Sequence, residues 1–327
     1  MSSQTLTCRN CNSTWTRAAQ AGRPPVYCAD CRMLGQALTT TVAPIRPQTV
    51  APKTTGHHYA FKTLLAVAKA RIPAMLVGPA GSGKTTAAKQ VAKALGLRCS
   101  SESCNPQMTK YDLLGFVNAT GSYSPGVVRD PFENGGVLLL DEIDASNPAI
   151  LVSLNMLASV AVGETVTFPD GTDVPRHADF ILIAGGNTYG DGASDEYVGR
   201  EQLDAATLDR FACISWGYDE DLEFHAAGPD AAEWVHFVQR VRKVAQENKI
   251  SLLVTPRASI MGAALLRDGM SRTDVERLTV YKGIDDDTKR TLLSAVKASY
   301  RISAESKGMD SRVTIEPLAA LKANFDF

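Results

Sequence analysis

The sequence contains no run of about 18 apolar residues, the length a helix needs to cross a bilayer, so no membrane span is expected. Its opening, "MSSQTLTCRN", lacks the apolar core of a signal peptide, and a cytoplasmic location is expected. No internal repeat is apparent. An excess of one charge sign is also lacking, since 34 Lys/Arg face 35 Asp/Glu for a net charge of −1. That balance conceals an asymmetry. Residues 1–57 hold Arg9, Arg17, Arg23, Arg32, Arg46 and Lys53 against Asp30 alone, leaving the remainder with a net of −6. A basic arm ahead of an acidic body hints at an acidic partner, with a plain solvated segment as the other reading.

Cysteines suited to disulfide pairing are missing as well. Cys99, Cys104 and Cys213 show no pairing logic and read as reduced packing residues. The other four form two CxxC pairs, Cys8/Cys11 and Cys28/Cys31, spaced C-x2-C-x16-C-x2-C. Two such knuckles can give four thiolates to one tetrahedral Zn²⁺. About thirty residues cannot bury a sufficient core, so the metal would supply the folding energy of this segment. A redox dithiol is the alternative, but no βαβ pattern surrounds these cysteines. The expectation is a zinc ribbon over residues 1–34. A Thr/Pro-rich stretch without apolar period follows over 35–57 and reads as a linker.

The remaining chain has ample length for a globular core. "YAFKTLLAVAKARI" places Phe61, Leu64, Leu65 and Ala68 at helical spacing. Short apolar runs then recur at 74–77, 97–100, 137–140, 180–184 and 212–216, separated by turns and helical patterns. Such alternation predicts an α/β core, residues 58–218, with a parallel sheet covered on both faces. From 219 to 327 the pattern turns helical, which predicts a small all-helical domain.

The stretch "MLVGPAGSGKTT" reads as strand, glycine loop and helix, and fits the phosphate-loop pattern at Gly78, Gly83, Lys84 and Thr85. The residues Gly78, Pro79, Ala80, Gly81, Ser82, Gly83, Lys84, Thr85 and Thr86 would wrap the phosphates of a nucleotide. In this scheme Lys84 bridges the β- and γ-phosphates and Thr85 holds Mg²⁺. In "VLLLDEID", Asp141 ends an apolar strand and can reach the Mg²⁺ shell, while Glu142 is suited to polarise a water for attack on the γ-phosphate. Adjacent acids at a strand tip in a chain with a phosphate loop favour hydrolysis over transfer to a small substrate.

Taken together, "GPAGSGKT", "LLLDEID", "AGGNT" and "LDRF" resemble the AAA+ ATPases and, within them, the MoxR-like branch that includes chelatase ATPase subunits. "QLDAATLDRF" is similar to cobaltochelatase-type and phage-encoded members. The resemblance covers roughly residues 58 to 270 and implies a P-loop NTPase core with a helical lid at 219–327, using ATP and Mg²⁺. It implies that Asn187 orients the attacking water, that Arg210 is an arginine finger reaching a neighbour's γ-phosphate, and that Arg257 is a second sensor in cis or trans. Arg200 is a further interface arginine or, alternatively, part of a surface salt bridge. Residues 112–136 resemble an inserted hairpin, and a second hairpin is expected around Asp170–Gly171. Tyr123 and Phe168 are candidate client contacts there, or simply packed. Base selectivity would rest on packing around Tyr59. The implied assembly is a homo-oligomeric, hexameric ring that remodels a protein client or a von Willebrand A type partner. A metal-chelatase motor and a nucleic-acid motor or loader are the alternatives, the last supported only by the basic ribbon.

Overall fold

The structure, a computed structural model, describes residues 3–7, 14–18, 56–193, 197 and 199–305. The chain divides into two units, Met1–Val50 and Ala51–Phe327. In the first, β1 (Ser3–Thr7) and β2 (Thr14–Ala18) pair antiparallel, with Leu6 opposite Trp15. Cys8, Cys11, Cys28 and Cys31, expected to bind zinc, lie outside the described residues, as does the expected linker up to residue 55.

The second unit opens with α1 (Phe61–Lys69), whose apolar positions Phe61, Leu64, Leu65 and Ala68 are all buried, as their spacing requires. Next come β3 (Ala74–Val77), α2 (Lys84–Leu95) and β4 (Cys99–Ser103). The 112–136 segment spans the end of α3 (Lys110–Leu114), the hairpin β5 (Phe116–Val117) and β6 (Tyr123–Ser124), and α4 (Arg129–Asn134). After β7 (Gly136–Asp141) and α5 (Pro148–Ser159), the hairpin β8 (Thr165–Thr167) and β9 (Asp173–Pro175) forms around Asp170–Gly171. β10 (Phe180–Gly186), α6 (Ala205–Leu208) and β11 (Ala212–Ser215) complete the α/β part. The helical part comprises α7 (Glu220–Ala227), α8 (Ala232–Glu247), α9 (Pro256–Arg267), α10 (Arg272–Thr279) and α11 (Asp286–Glu305).

Five strands form one parallel sheet in the order β11–β3–β10–β7–β4. Strand side chains alternate between faces, and here both faces are apolar. Met75, Leu138, Leu140, Phe180, Leu182 and Ala184 enter one core with Phe132 and Leu154. Ala74, Leu76, Val137, Leu139, Ile181 and Ile183 enter the other, against α1 and α2. The helical part has its own core around Trp234, Val238 and Val241. This is the parallel α/β sheet with C-terminal helices that the sequence predicts.

One local expectation needs correction. The second strand begins two residues later than its apolar run, at Cys99. Leu97 follows the left-handed Gly96 that ends α2 (φ 67°) and packs against the α1/α2 core instead. β4 is an edge strand and needs no apolar run, so its sequence, CSSES, is polar. Phe168 is 2% exposed and stacks edge-on with Phe132, the packed one of its two readings. Tyr123 is half-buried and donates its hydroxyl to the Leu114 carbonyl (2.6 Å). Phe116 and Val117 are the exposed large apolar side chains on the described residues of that insert, and Tyr111 lies exposed just before it.

Candidate active site

The register of the sheet brings three strand ends together. Val77 lies opposite Gly186, and Leu140 opposite Ala184, so Gly78, Asp141 and Asn187 emerge side by side. Ligands of open parallel sheets bind at these carboxyl ends. Close approach is built into the sequence here, because a Cβ on Gly185 would collide with the Asp141 carboxylate.

Gly81 and Gly83 of the loop have φ of 77° and 91°, the left-handed region that glycine tolerates. The N-terminus of α2 has no side-chain cap, so its first amides and positive end are available to an anion. Lys84 is 6% exposed and donates to the Gly78 carbonyl (2.6 Å), the Pro79 carbonyl (3.1 Å) and Asn187 Oδ1 (2.8 Å). Burial lowers its pKa, opposed by the nearby negative charge of Asp141, Asp144 and Glu142. Ser82 Oγ is buried without a hydrogen-bond partner among the described residues, an orphan that a phosphate oxygen would satisfy. Thr85 donates its hydroxyl to Asp141 Oδ2 (2.6 Å). A hydroxyl and a carboxylate this close are the hard oxygen donors Mg²⁺ takes. The residues present therefore fit a Mg²⁺-bound nucleotide. Thr86 lies exposed on the first turn of α2.

Glu142 has φ 57° and leaves its carboxylate 45% exposed beyond the end of β7. Asp144, three residues after Asp141, is completely buried and organises the site. Its Oδ2 accepts the Asn187 N–H (2.9 Å), the Thr188 N–H (3.0 Å) and the Thr188 hydroxyl (3.1 Å). Sequence reasoning passed over Asp144, although "DEID" already held the signal: a second aspartate one helical turn past the strand tip.

Arg200 turns inward and takes the salt-bridge reading. Its side chain is 12% exposed and sits within salt-bridge reach of Asp144 and Glu142. Arg210 stands apart from this cluster on the outer surface, where it donates to Ser159 Oγ (2.9 Å) and to the Ala206 carbonyl. Arg257 is exposed at the start of α9. Its helix nevertheless begins beside the loop, since a Cβ on Gly81 would come within 3.0 Å of Thr255.

Two tyrosines also reach the loop. The Ala80 N–H donates to the Tyr197 hydroxyl (3.0 Å), and the Tyr218 hydroxyl donates to the Ala80 carbonyl (3.1 Å). Arg242 lies over the Tyr218 ring, 4.4 Å from its centre, and forms a buried ion pair with Glu223. These contacts link the helical lid to the phosphate loop. No sequence pattern announced them. Tyr59 is 63% exposed and is tied by its N–H to Asp219 Oδ2 (2.7 Å).

Residues 73–211 match the family described as the AAA domain of the dynein-related subfamily. Among curated relatives, the chain is similar to the denitrification regulatory protein NirQ of Pseudomonas aeruginosa, 25% identical over 234 residues, or 66% of this chain and 84% of that protein. It is similar to the aerobic cobaltochelatase subunit CobS of Sinorhizobium, 25% identical over 47% of this chain and 49% of that one. It is also similar to protein CbbQ of Hydrogenophilus thermoluteolus, 27% identical over 50% of this chain and 61% of that one. On these matches, residues 73–211 form an AAA domain similar to those of NirQ, CobS and CbbQ, and the phosphate loop and acids that the sheet brings together are the equipment of an ATP hydrolase.

Proposed function

We propose that the chain assembles into a hexameric ring in which ATP hydrolysis remodels or activates a protein partner. The observation that carries this reading is the placement of Arg210. Lys84, Thr85, Asp141, Glu142 and Asn187 gather at the strand ends, while Arg210 is held on the outer face by Ser159 and Ala206. A guanidinium there is suited to a neighbour's site rather than its own, so turnover requires a second subunit.

Bound Mg-ATP supplies the phosphoanhydride bond and the cation's charge. Lys84 and the loop amides hold the phosphates, and Thr85 and Asp141 hold the metal. Glu142 accepts the proton of the attacking water, which Asn187 orients, and Arg257 reports nucleotide state through α9. The likeness to NirQ, a regulatory protein, and to CobS, a chelatase subunit, supports action on a larger partner. A von Willebrand A type protein is the partner class we favour. The likeness to CobS keeps a chelatase motor as the second reading. Cys8, Cys11, Cys28 and Cys31 would close a structural zinc shell in a separable recognition ribbon.

Mixing two inactive variants tests the shared site. Glu142→Gln should bind ATP without turnover, and Arg210→Ala should be inactive. Hybrid rings should regain partial hydrolysis, because some interfaces pair an intact Glu142 with an intact Arg210. Absence of recovery in demonstrated mixed rings would refute the trans role.

A further inference from the structure

Ala80 is the last residue before the left-handed Gly81, and side chains from two distant segments hold both of its backbone polar groups. Its N–H donates to the Tyr197 hydroxyl (3.0 Å), and its carbonyl accepts from the Tyr218 hydroxyl (3.1 Å). A trans peptide points its N–H and its C=O in opposite directions. Tyr197 thus fixes the Pro79–Ala80 peptide with the Pro79 carbonyl turned the other way. There that carbonyl accepts from Lys84 Nζ (3.1 Å) and from the Ser82 N–H (3.3 Å). Tyr218 fixes the next peptide, so the Gly81 N–H is turned away from Tyr218. Tyr218 is itself well placed. Trp216, two residues earlier, donates its N–H to the Val77 carbonyl (2.6 Å), and Arg242 lies 4.4 Å from the Tyr218 ring centre. Gly78 permits this approach, because a Cβ there would strike the Trp216 carbonyl.

We propose that Tyr197 and Tyr218 are positioning residues that preset the phosphate loop by holding Ala80, a reading that rests on this loop being the nucleotide site. A glycine-rich loop has many conformations open to it, and ordering it on binding weakens affinity. A loop already held in shape avoids that loss. The grip favours ligands that extend at least to a β-phosphate, because Lys84, aligned through the Pro79 carbonyl, is the group that meets the β- and γ-phosphates. A nucleoside monophosphate ends short of it. Both restraints come from outside the loop. Tyr197 belongs to the segment between Asn187 and α6, and Tyr218 stands at the start of the helical part. The loop's shape therefore depends on two segments that lie more than a hundred residues beyond its own sequence.

The test uses the full chain with Mg²⁺ and compares wild type with Tyr218→Phe and Tyr197→Phe. Dissociation constants are measured for ADP and for AMP, the latter by competition with a fluorescent ADP. Phenylalanine keeps each ring, including the face beneath Arg242, and removes only the hydroxyl. Each variant should bind ADP about three- to ten-fold more weakly, the range that one lost hydrogen bond sets, and AMP less than about two-fold more weakly. KM for ATP should rise alongside, while kcat changes less than about two-fold. A merely structural role would weaken both nucleotides alike or lower kcat as well. ADP affinity within about two-fold of wild type in either variant, or equal losses for ADP and AMP, overturns the inference. Failure of the wild-type chain to bind ADP overturns instead the nucleotide assignment beneath it. Should one variant fail to fold, the other decides by the same two comparisons.

Discussion

Replacing Glu223 by leucine should loosen the lid and, through it, the phosphate loop. The Glu223 side chain is wholly buried and accepts from Arg242 Nη1 (3.0 Å) and Nη2 (2.8 Å), as well as from the Ser259 hydroxyl. Removing one partner of a buried pair leaves the other charge uncompensated, at a cost of about 3–5 kcal/mol. The buried Ser259 hydroxyl also loses its acceptor, about 1 kcal/mol more. Arg242 itself bonds the Val254 carbonyl (2.7 Å) and covers Tyr218, whose hydroxyl holds Ala80. The damage should therefore reach the nucleotide site as a higher KM for ATP with a smaller change in kcat. Calorimetry and amide hydrogen exchange over α8 and α9 would read the stability loss. Replacing Glu223 and Arg242 together by leucine should recover at least half of it, because no buried charge then remains. A loss below about 1 kcal/mol in the single variant, or a double variant worse than the sum of both singles, would refute the reasoning.

Two other tests concern different parts of the molecule. His58 stacks on Trp216 with ring centres 4.0 Å apart; its Nδ1 accepts the Ala60 N–H (3.1 Å) and its Nε2 donates to the Gly217 carbonyl (3.0 Å). Burial holds its pKa below the ordinary value near 6.5. The unfolded chain thus binds this proton at higher pH than the native one, and stability falls as pH drops from about 6.5 through the lowered native value. In pH-resolved melts His58→Phe should flatten that slope by at most about 1.4 kcal/mol per pH unit, and an unchanged slope would sink the assignment. Deleting residues 1–55 should remove one bound zinc per chain, by elemental analysis, and leave ring size and basal hydrolysis nearly intact. The cut stops there because the Gly56 carbonyl accepts from Gln90 Nε2 (3.2 Å) and His57 stacks on Phe61. Lost turnover would show the segment to be part of the motor.

Much of this protein was legible in its sequence wherever the relevant physics is local. An apolar run between turns reads as a buried strand, and four of the five runs fall on strands of the central sheet. Phe61, Leu64, Leu65 and Ala68 declare a helix face by spacing alone, and Gly81 and Gly83 declare a left-handed loop because few other residues adopt it. What escaped was either marginal in pattern or distant along the chain. β4 slid past its apolar run because an edge strand is selected by pairing rather than by burial. α10, short and polar as RTDVERLT, carries too little apolar signal to stand out and is held by packing against α9. The sequence by itself determined the nucleotide chemistry, since the phosphate loop and the acids of β7 are contiguous motifs. Only the tertiary structure decided which charges govern that chemistry. Arg200 meets Glu142 and Asp144 across more than fifty residues, Tyr197 and Tyr218 close on Ala80 from beyond a hundred, and Glu223 finds Arg242 inside the lid. Such pairs form because a buried charge must find a partner, and which partner it finds depends on how the sheet and the lid pack.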